Sequence, residues 1–515
     1  MKIERTNNAI RNVFFGILYK AEGILMPFIC RTIMIYYMGT QYVGLNSLFS
    51  SILSFLSLAE LGIGNALVFS MYKPIAQDDE ETLCALLNLY KKVYLVIGTV
   101  ISVVGIALLP FLRYLVNGDC PADVNIYALY GIYLFNTAIS YLMFGYKQSL
   151  LVAFQRSDII SKRTMILQFF MNVIQICVIC TMKNYYVYII LMPVFTVLSN
   201  LYNWFITNKM FPQIVCRGQI SKELQRSIIK KVAALLGTKA NAVVMHAADN
   251  IVISAYLGLT MVGIYGNYYY IMNAIIGVMT IIYSSITAGI GNSLESESIE
   301  KNYNDFKVLS FLNLWVVMFC SISLLCLYQP FVKIWVGEER MLGFDSVILL
   351  VIYFFVYQIR RIVLTYKDAA GIWWEDKFRP YVVMITNIVF NIVSVQIIGI
   401  NGVIASTIIS MIVSIPWENY TVFKYIFGMS SVKYYIQYTQ FVLVSCALAA
   451  LTYGICSFAP GGWLGLFIRA AACCVVPNVI FVLLYCKRYE FKRSLLIVKN
   501  QVLKRNNKKL NQQKG

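Results

Sequence analysis

One apolar stretch, 231–270, constrains this chain most, because it carries charges inside a run long enough to span a membrane. Lys239, His246 and Asp249 lie within it. A charge at the bilayer centre costs about 2.5–3.5 kcal/mol on insertion scales, so such residues usually face protein or water and serve a function. At about 100° per residue, Lys239 and His246 share a helix face, and Asp249 follows His246 at i+3. We expect all three side chains on one stripe facing a polar cavity.

The same pattern occurs 219 positions earlier in the chain. Lys20 aligns with Lys239, and segments 37–45 and 256–264 share the pattern Tyr-x-Gly-x-x-x-Val-Gly without a gap. Glycine between hydrophobic runs is ordinary turn chemistry, but the lysine at the same offset argues against coincidence. The match predicts two copies of one multi-helix unit. Such internal symmetry is common in secondary transporters, whose substrate site lies where the copies meet.

Composition places the chain in a membrane, since 59% of its 515 residues are hydrophobic and 13% are charged. A spanning helix needs about 20 mainly apolar residues. We therefore predict an all-α integral membrane protein of about 14 transmembrane helices, with two six-helix lobes related by the repeat and two extra C-terminal helices. The predicted spans are 12–38, 43–71, 93–112, 125–151, 163–182, 186–207, 232–257, 262–290, 308–330, 345–366, 380–399, 402–427, 434–458 and 462–486.

The repeat also predicts how the chain is divided. The expected regions are an N-terminal lobe (1–207), a cytoplasmic inter-lobe loop (208–231), a C-terminal lobe (232–430), helices 13 and 14 (431–486) and a basic cytoplasmic tail (487–515). Apolar residues within the tail suggest a short amphipathic helix on the inner leaflet. A solvated positive tail is the simpler alternative.

The net charge of +19 would suggest nucleic acid in a soluble chain, but here it is explained by membrane topology. With the N-terminus inside, 35 of the 43 Lys and Arg residues fall on the cytoplasmic side and four on the other. This bias follows the positive-inside rule, so both termini are predicted to be cytoplasmic and no nucleic-acid partner is expected. The first apolar run is interrupted by Lys20, Glu22 and Arg31, unlike the core of a cleavable signal.

Two segments carry a family resemblance. GLNSLFSSILSFLSLAELGIGNALVFSMYKPIA (44–76) and ADNIVISAYLGLTMVGIYGNYYYIMNAI (248–275) resemble the polysaccharide transporters, the O-antigen and capsule flippases. These belong with lipid II flippases and multidrug and toxin extrusion transporters in the multidrug/oligosaccharidyl-lipid/polysaccharide exporter superfamily. The resemblance implies two lobes around a V-shaped cavity that alternates between inward-open and outward-open states. It also implies an undecaprenyl-pyrophosphate-linked oligosaccharide as substrate, a bacterial cytoplasmic membrane, and polysaccharide polymerase machinery as a partner.

Three cations are candidates for binding the pyrophosphate. Lys20 and Arg31 are eleven residues apart and share a helix face, and Lys239 occupies the position in the second copy that matches Lys20. Arginine suits two-pronged phosphate contacts and lysine a point-charge contact. We predict that the three line a cationic cavity. Lys20 has an alternative, because its long side chain can instead extend to the inner membrane surface.

Four other residues are candidates for the cavity or for coupling to H⁺ or Na⁺: His246, Asp249, Glu60 and Glu22. His246, the only histidine, has packing against Asp249 as its alternative role. Glu60 lies in a glycine-rich segment where close helix packing is expected. Glu22 lies opposite Lys20 on its helix and is expected to pair within its own lobe.

No metal, cofactor or enzyme activity is expected. Most of the 13 cysteines lie in apolar runs, where they act as small hydrophobic residues, and Cys177 and Cys180 have no further ligands nearby in the sequence. The alternatives are an ion-coupled drug or small-molecule exporter of the same fold, a lipid II flippase, and a membrane glycan polymerase or ligase. The last needs a sizeable external loop, and the predicted external connections are short. No nucleotide-binding G-x-x-x-x-G-K-[ST] loop occurs, which argues against an ATP-driven pump.

Overall fold

The computed structural model describes residues 5–60, 62–117 and 120–496. Every regular element in this part of the chain is helical, as predicted. The α-helices, in chain order, are α1 (Arg5–Tyr37), α2 (Thr40–Leu56), α3 (Ile63–Ala76), α4 (Glu80–Ala107), α5 (Leu112–Leu115), α6 (Ile126–Leu142), α7 (Gln148–Ala153), α8 (Ser157–Thr181), α9 (Tyr185–Met210), α10 (Lys222–Leu257), α11 (Leu259–Ser296), α12 (Ile299–Val336), α13 (Phe344–Ile359), α14 (Arg361–Ala370), α15 (Arg379–Ile398), α16 (Ile400–Val422), α17 (Val432–Ser457) and α18 (Gly462–Tyr485).

These helices confirm the predicted class, an all-helical membrane protein. Among the described residues, ten helices are long and apolar enough to cross a membrane, and the bent pair Ile126–Leu142 and Gly145–Ala153 would make an eleventh. The predicted spans outside this set are 12–38, 43–71 and 232–257, and each coincides with helical chain. The count of fourteen is therefore not confirmed and stays a prediction.

Two predicted spans are broken helices. Span 43–71 is interrupted by the 3₁₀ turn Ser57–Glu60 and by Gly62, whose φ of 86° is in the left-handed region. Span 125–151 bends after α6, where Phe144 also has a positive φ of 55°. Hydropathy predicts how much apolar chain is present, but it does not predict where a helix bends, because bends depend on what packs beside it.

Side-chain caps determine where several helices begin. Asp79, Asn125, Asn184, Ser221 and Ser298 precede α4, α6, α9, α10 and α12, and each accepts a hydrogen bond from a backbone N–H in the first turn. Such caps satisfy donors that a helix start leaves unpaired. The cap at Ser221 starts α10 inside segment 208–231, so that predicted loop is partly helical.

The repeated motif has the same local structure in both copies. The first copy ends α1 at Tyr37 and passes through Gly39, with φ 115°, into α2. The second ends α10 at Leu257 and passes through Gly258, with φ 87°, into α11. Both glycines adopt backbone angles that side chains disfavour. The Tyr-x-Gly pattern is therefore a helix–turn–helix signal in each copy.

The two copies of this motif also pack against each other in a reciprocal way. A Cβ added to Gly44 of α2 would collide with the carbonyl oxygen of Leu259, and one added to Gly263 of α11 would lie 2.5 Å from that of Thr40. Leu259 is the repeat counterpart of Thr40, as Gly263 is of Gly44. Each contact is therefore the repeat counterpart of the other, as internal symmetry requires. Close glycine packing of this kind is typical of membrane helices.

Contacts divide the chain into two compact units. Unit 1 comprises Met1–Asn267 and Pro380–Val403, and unit 2 comprises Tyr268–Arg379 and Ile404–Gly515. Within unit 1, α10 packs against α2, α3 and α5. The predicted lobes, 1–207 and 232–430, follow the sequence repeat and not these contacts, and they stay a prediction. Of the predicted basic tail 487–515, residues 497–515 lie outside the described residues.

Unit 2 has an aromatic core around α12, α17 and α18. Phe311 of α12 contacts Phe441 of α17 and Phe481 of α18, with ring centroids 5.7 and 5.4 Å apart. Phe441 also stacks on Tyr485 at 4.9 Å. The two helices that the sequence places outside the duplication are therefore packed onto α12 by large buried side chains.

Candidate functional site

A polar cavity of about 330 Å³ lies in unit 1, lined by α2 and the turn after it, α6, α9 and α10. We call it the polar cavity. Most of its lining side chains are hydrogen-bonding groups, which is unusual beside apolar helices and suits a hydrated ligand or ion. The polar lining residues are Ser50, Ser54, Ser57, Glu60, Tyr133, Asn136 and Thr137.

Glu60 supplies the carboxylate of the polar cavity, and two tyrosines hold it. Tyr94 donates to its Oε1 and Tyr141 to its Oε2, both at 2.6 Å. Each oxygen thus has a phenol donor, and hydrogen bonds to a charged acceptor are stronger than neutral ones. The arrangement holds the carboxylate in place while its charge remains available to a cation or proton in the cavity.

A glycine after Glu60 leaves room for the tyrosine rings that pack close to this carboxylate. A Cβ on Gly64 would lie 2.8 Å from the phenol oxygen of Tyr90, so a larger residue would displace that ring. The hydroxyl of Tyr90 lies 3.4 Å from that of Tyr94, which extends the hydrogen-bonded group away from Glu60. The glycine-rich sequence around Glu60 thus serves close packing, and this packing positions the carboxylate.

One face of α10 borders the polar cavity. Val243 is among the lining residues, and Lys239 and His246 lie four residues before it and three residues after it. Residues at these offsets are neighbours on a helix surface. Both side chains are exposed, and neither is among the residues that line the polar cavity. Lys239 and His246 therefore lie on the same side of α10 as Val243, outside the cavity lining.

Asp249 does not share that exposed face. It is 3% exposed, and its Oδ1 accepts a hydrogen bond from the amide of Asn391 on α15 at 2.8 Å, while Tyr265 of α11 donates to its Oδ2 at 3.4 Å. Three residues beyond His246, the helix has turned by about 60° from that face, enough to bury the side chain. Asp249 therefore lies in a buried polar contact and not on the exposed side of α10, and its role in the cavity or in coupling stays a prediction. The amide of Asn391 also donates to the side-chain oxygen of Asn387, one turn away on α15, at 3.3 Å.

The side chain of Arg31 reaches from α1 to the start of α11. Its Nε donates to the side-chain oxygen of Asn267 at 2.7 Å and its Nη2 to the carbonyl of Gly263 at 3.1 Å. A Cβ on Gly266 would lie 2.6 Å from Nη2, so that glycine leaves room for the guanidinium. Arg31 therefore joins the two copies of the repeated motif as well as carrying a charge inside an apolar helix.

Lys20 and Glu22 lie on different sides of α1. Lys20 is exposed, like its repeat counterpart Lys239. Glu22 is partly buried, and Asn172 of α8 donates to its Oε1 at 3.3 Å. Helix α1 packs along α8, so Glu22 lies against that neighbouring helix. That Lys20, Arg31 and Lys239 line one cationic cavity stays a prediction.

Unit 2 contains a group of charges that sequence reasoning missed, which we call the buried ion cluster. It consists of Arg360, Lys367, Asp376, Arg379 and Glu418, all at most 8% exposed. Arg379 donates to Asp376 and to Glu418, each at 2.7 Å, and Lys367 also contacts Asp376. Charges this deeply buried persist only when paired, because removal from water is costly.

Arg360 is buried in this cluster although it lies near the end of the predicted span 345–366, where an arginine often anchors a helix at the membrane surface. It is 8% exposed and lies 3.4 Å from Glu418. One signal was available, since Glu418 is a charge inside the apolar run 402–427, as Lys239 is in its own run. Its partners could not have been predicted, because Asp376 and Arg379 lie in a connecting segment whose course the sequence does not determine.

Comparison with solved structures identifies the fold. The lipid II flippase MurJ, in an inward closed conformation, matches with a TM-score of 0.62 at 13% identity, over 92% of this chain and 99% of that chain. An inward-facing multidrug resistance MATE family transporter of the MOP superfamily matches at 0.58 and 13% identity, over 77% and 94%. A MOP superfamily transporter from Pyrococcus furiosus matches at 0.53 and 12%, over 82% and 96%.

The sequence matches no family model and no curated protein. The predicted polysaccharide transporter family is therefore not confirmed, and at such low identities the structural matches establish the fold alone. These structural neighbours are transporters and a flippase of the MOP superfamily. This chain is thus a multi-pass membrane protein with the helical fold that MATE transporters share with MurJ.

Proposed function

We propose that this protein is a flippase that moves an undecaprenyl-pyrophosphate-linked oligosaccharide across the bacterial cytoplasmic membrane by alternating access, for surface polysaccharide synthesis. It is a carrier and not an enzyme, with both termini in the cytoplasm, and it works beside polysaccharide polymerase machinery. The observation that carries the proposal is the pair Lys20 and Lys239. They occupy the same position in the two repeat copies, and both side chains are exposed within predicted membrane spans, 12–38 and 232–257.

The chemistry of the substrate explains why such cations are needed. A pyrophosphate that leaves water loses its hydration, and an uncompensated charge in a low-dielectric interior is costly. Lys20, Arg31 and Lys239 supply three positive charges within unit 1. The polar cavity beside α10 supplies hydroxyl and amide groups of the kind that hydrogen-bond to a glycan.

The polyprenyl tail needs an apolar surface, and unit 2 contains one. A cavity of about 640 Å³ there is lined almost wholly by apolar side chains of α12, α13, α16 and α17, among them Ile322, Ile348, Phe355, Ile412 and Val442. An apolar lining can hold a hydrocarbon chain without exposing it to water, an exposure that would cost about 25 cal/mol per Å². A lipid-linked substrate has such a chain, and a fully polar substrate does not.

Coupling to H⁺ or Na⁺ is assigned to the carboxylates of unit 1. Asp249 is buried against Asn391 and Tyr265, a set of oxygen-bearing side chains. Glu60 faces the polar cavity between two phenols. A carboxylate that gains a proton or cation changes its charge, and this change favours one conformation over the other.

One observation favours a second candidate, an exporter of cationic small molecules. The carboxylate in the polar cavity is Glu60, and aromatic rings surround it, a combination that attracts organic cations. A lipid II flippase also fits the same fold. The three candidates differ in the charge and size of the substrate, so transport assays separate them.

The test compares Lys20→Gln, Arg31→Gln and Lys239→Gln with Lys183→Gln, a lysine predicted to lie outside the apolar runs. In proteoliposomes, flipping of a fluorescent polyprenyl-pyrophosphate oligosaccharide should fall at least tenfold in the first three and stay within twofold in the control. Full flipping by all three variants at normal abundance contradicts the proposal. Unchanged lipid flipping together with saturable uptake of an organic cation would favour the exporter.

A further inference from the structure

Three cysteines from three helices of unit 2 bring their sulfur atoms together. Cys326 of α12, Cys456 of α17 and Cys473 of α18 have Sγ atoms that all lie within 4.8 Å of one another. Each side chain is at most 3% exposed. In the part of the chain that the structure describes, this is the one group of His, Cys, Asp or Glu side chains with such spacing.

The spacing suits a metal ion held by sulfur. A metal–sulfur bond of about 2.3 Å places the sulfurs of a planar three-coordinate centre about 4 Å apart, so small side-chain rotations close this site. Zinc takes four ligands, and the neighbouring core supplies apolar and aromatic groups such as Phe441 and Phe481 in place of a fourth. Soft thiolates in a low coordination number select copper(I).

A positively charged side chain beside the three cysteines can balance the charge of a bound metal thiolate. The guanidinium of Arg469 lies at the end of α17 and donates to the carbonyls of Cys456, Ala459 and Pro460 at 3.2, 2.8 and 3.0 Å. A copper(I) ion with two thiolates carries one negative charge, which the adjacent arginine offsets. The same guanidinium also caps carbonyls at the C-terminal end of α17.

A second polar group lies on the same helix face as Cys456. Thr452 lies one turn before Cys456 on α17 and is 0% exposed, and its hydroxyl has no hydrogen-bond partner among the described residues. Buried hydroxyls are normally paired, so an unpaired one calls for a partner. A thiolate at Cys456 would accept its hydrogen bond.

We propose that Cys326, Cys456 and Cys473 bind one copper(I) ion. Two of the three thiols give up their protons to solvent, the ion binds the two thiolates and the third sulfur, and no electron is transferred. The bound ion joins α12, α17 and α18 near the end of the α17–α18 hairpin. The proposal is independent of the transported substrate.

The test uses the full chain, purified in detergent under reducing conditions and supplied with copper(I) alongside a chromogenic copper(I) chelator. The protein should retain one equivalent of copper at chelator concentrations that strip isolated thiols. The triple variant C326S/C456S/C473S should lose it. The control C320S/C446S/C474S removes one other cysteine from each of the same three helices and should retain it.

X-ray absorption of the copper-loaded natural sequence provides a measurement that does not depend on how the variants fold, and it should show sulfur alone in the first coordination shell. The proposal fails if the natural sequence retains no copper, if the cluster variant retains as much, or if nitrogen or oxygen dominates that shell. A disulfide between two of the three cysteines, seen by mass spectrometry in protein purified without reductant and unable to take up copper, would also overturn it in favour of a redox pair.

Discussion

Glu60 of unit 1 and the carboxylates of the buried ion cluster in unit 2 are stabilised by different kinds of partner. Glu60 accepts hydrogen bonds from two phenols, and Asp249 accepts one from an amide and one from a phenol. Asp376 and Glu418, in the buried ion cluster, are instead held by arginine and lysine. Phenols and amides orient a carboxylate without cancelling its charge, whereas cations cancel it.

The difference separates a functional role from a structural one. A carboxylate held by neutral donors is still stabilised when it binds a proton or cation, so binding and release can alternate during a transport cycle. A carboxylate paired with a buried cation is hardly stabilised further by a second one, and removal of its partner leaves an uncompensated charge. We therefore expect unit 1 substitutions to lower transport and ion-cluster substitutions to lower stability.

The largest effect is expected for Arg379→Ala. It leaves Asp376 and Glu418 without their shared partner, and breaking a buried ion pair in this way costs about 3–5 kcal/mol. The variant should show a strongly reduced melting temperature in detergent and low abundance in membranes. An unchanged melting temperature would mean that the cluster is hydrated and that the contrast between the units is false.

Next in size are Glu60→Gln and Asp249→Asn. Each keeps the shape of the side chain and removes its charge, so gradient-driven transport in proteoliposomes should fall at least tenfold while the melting temperature stays within a few degrees. Glu418→Gln is the matched control, because the same chemical change in the ion cluster should affect stability first. Transport at the normal rate in both unit 1 variants would remove the coupling assignment.

A smaller effect is expected for Tyr94→Phe and Tyr141→Phe. Each removes one of the two phenol donors to Glu60, a hydrogen bond to a charged group worth about 1.5–3 kcal/mol. Since the second phenol still orients the carboxylate, we expect a several-fold loss of transport in each single variant and a loss similar to Glu60→Gln in the double variant. Equal, full activity in all three would show that the tyrosines only fill space.

The smallest effect is expected for Lys333→Ala. Lys333 pairs with Glu338 at 2.8 Å, but the two side chains are 56% and 73% exposed. An exposed ion pair contributes about 0–1 kcal/mol, so the melting temperature should hardly change. A drop as large as that for Arg379→Ala would show that burial does not distinguish the two pairs.

Much of the local structure followed from residue patterns. Apolar runs predicted the helices, and the Tyr-x-Gly pattern predicted turns that both copies contain, because hydropathy and glycine preferences act over a few residues. Charges inside apolar runs identified Glu60, Lys239 and Asp249 as residues needing an explanation. The partners that explain Glu60 and Asp249 come from other helices, so Tyr94, Tyr141 and Asn391 had no signal of their own in the sequence.

By itself, the sequence determined that this chain is a helical membrane protein with a repeated motif and with charges that apolar helices must accommodate. Tertiary structure alone decided which charges face a cavity, which are buried with cations and which three cysteines meet. The reason is physical. Helix formation and membrane insertion depend on neighbours within a few turns, whereas the cost of a buried charge depends on donors and cations that other helices bring to it.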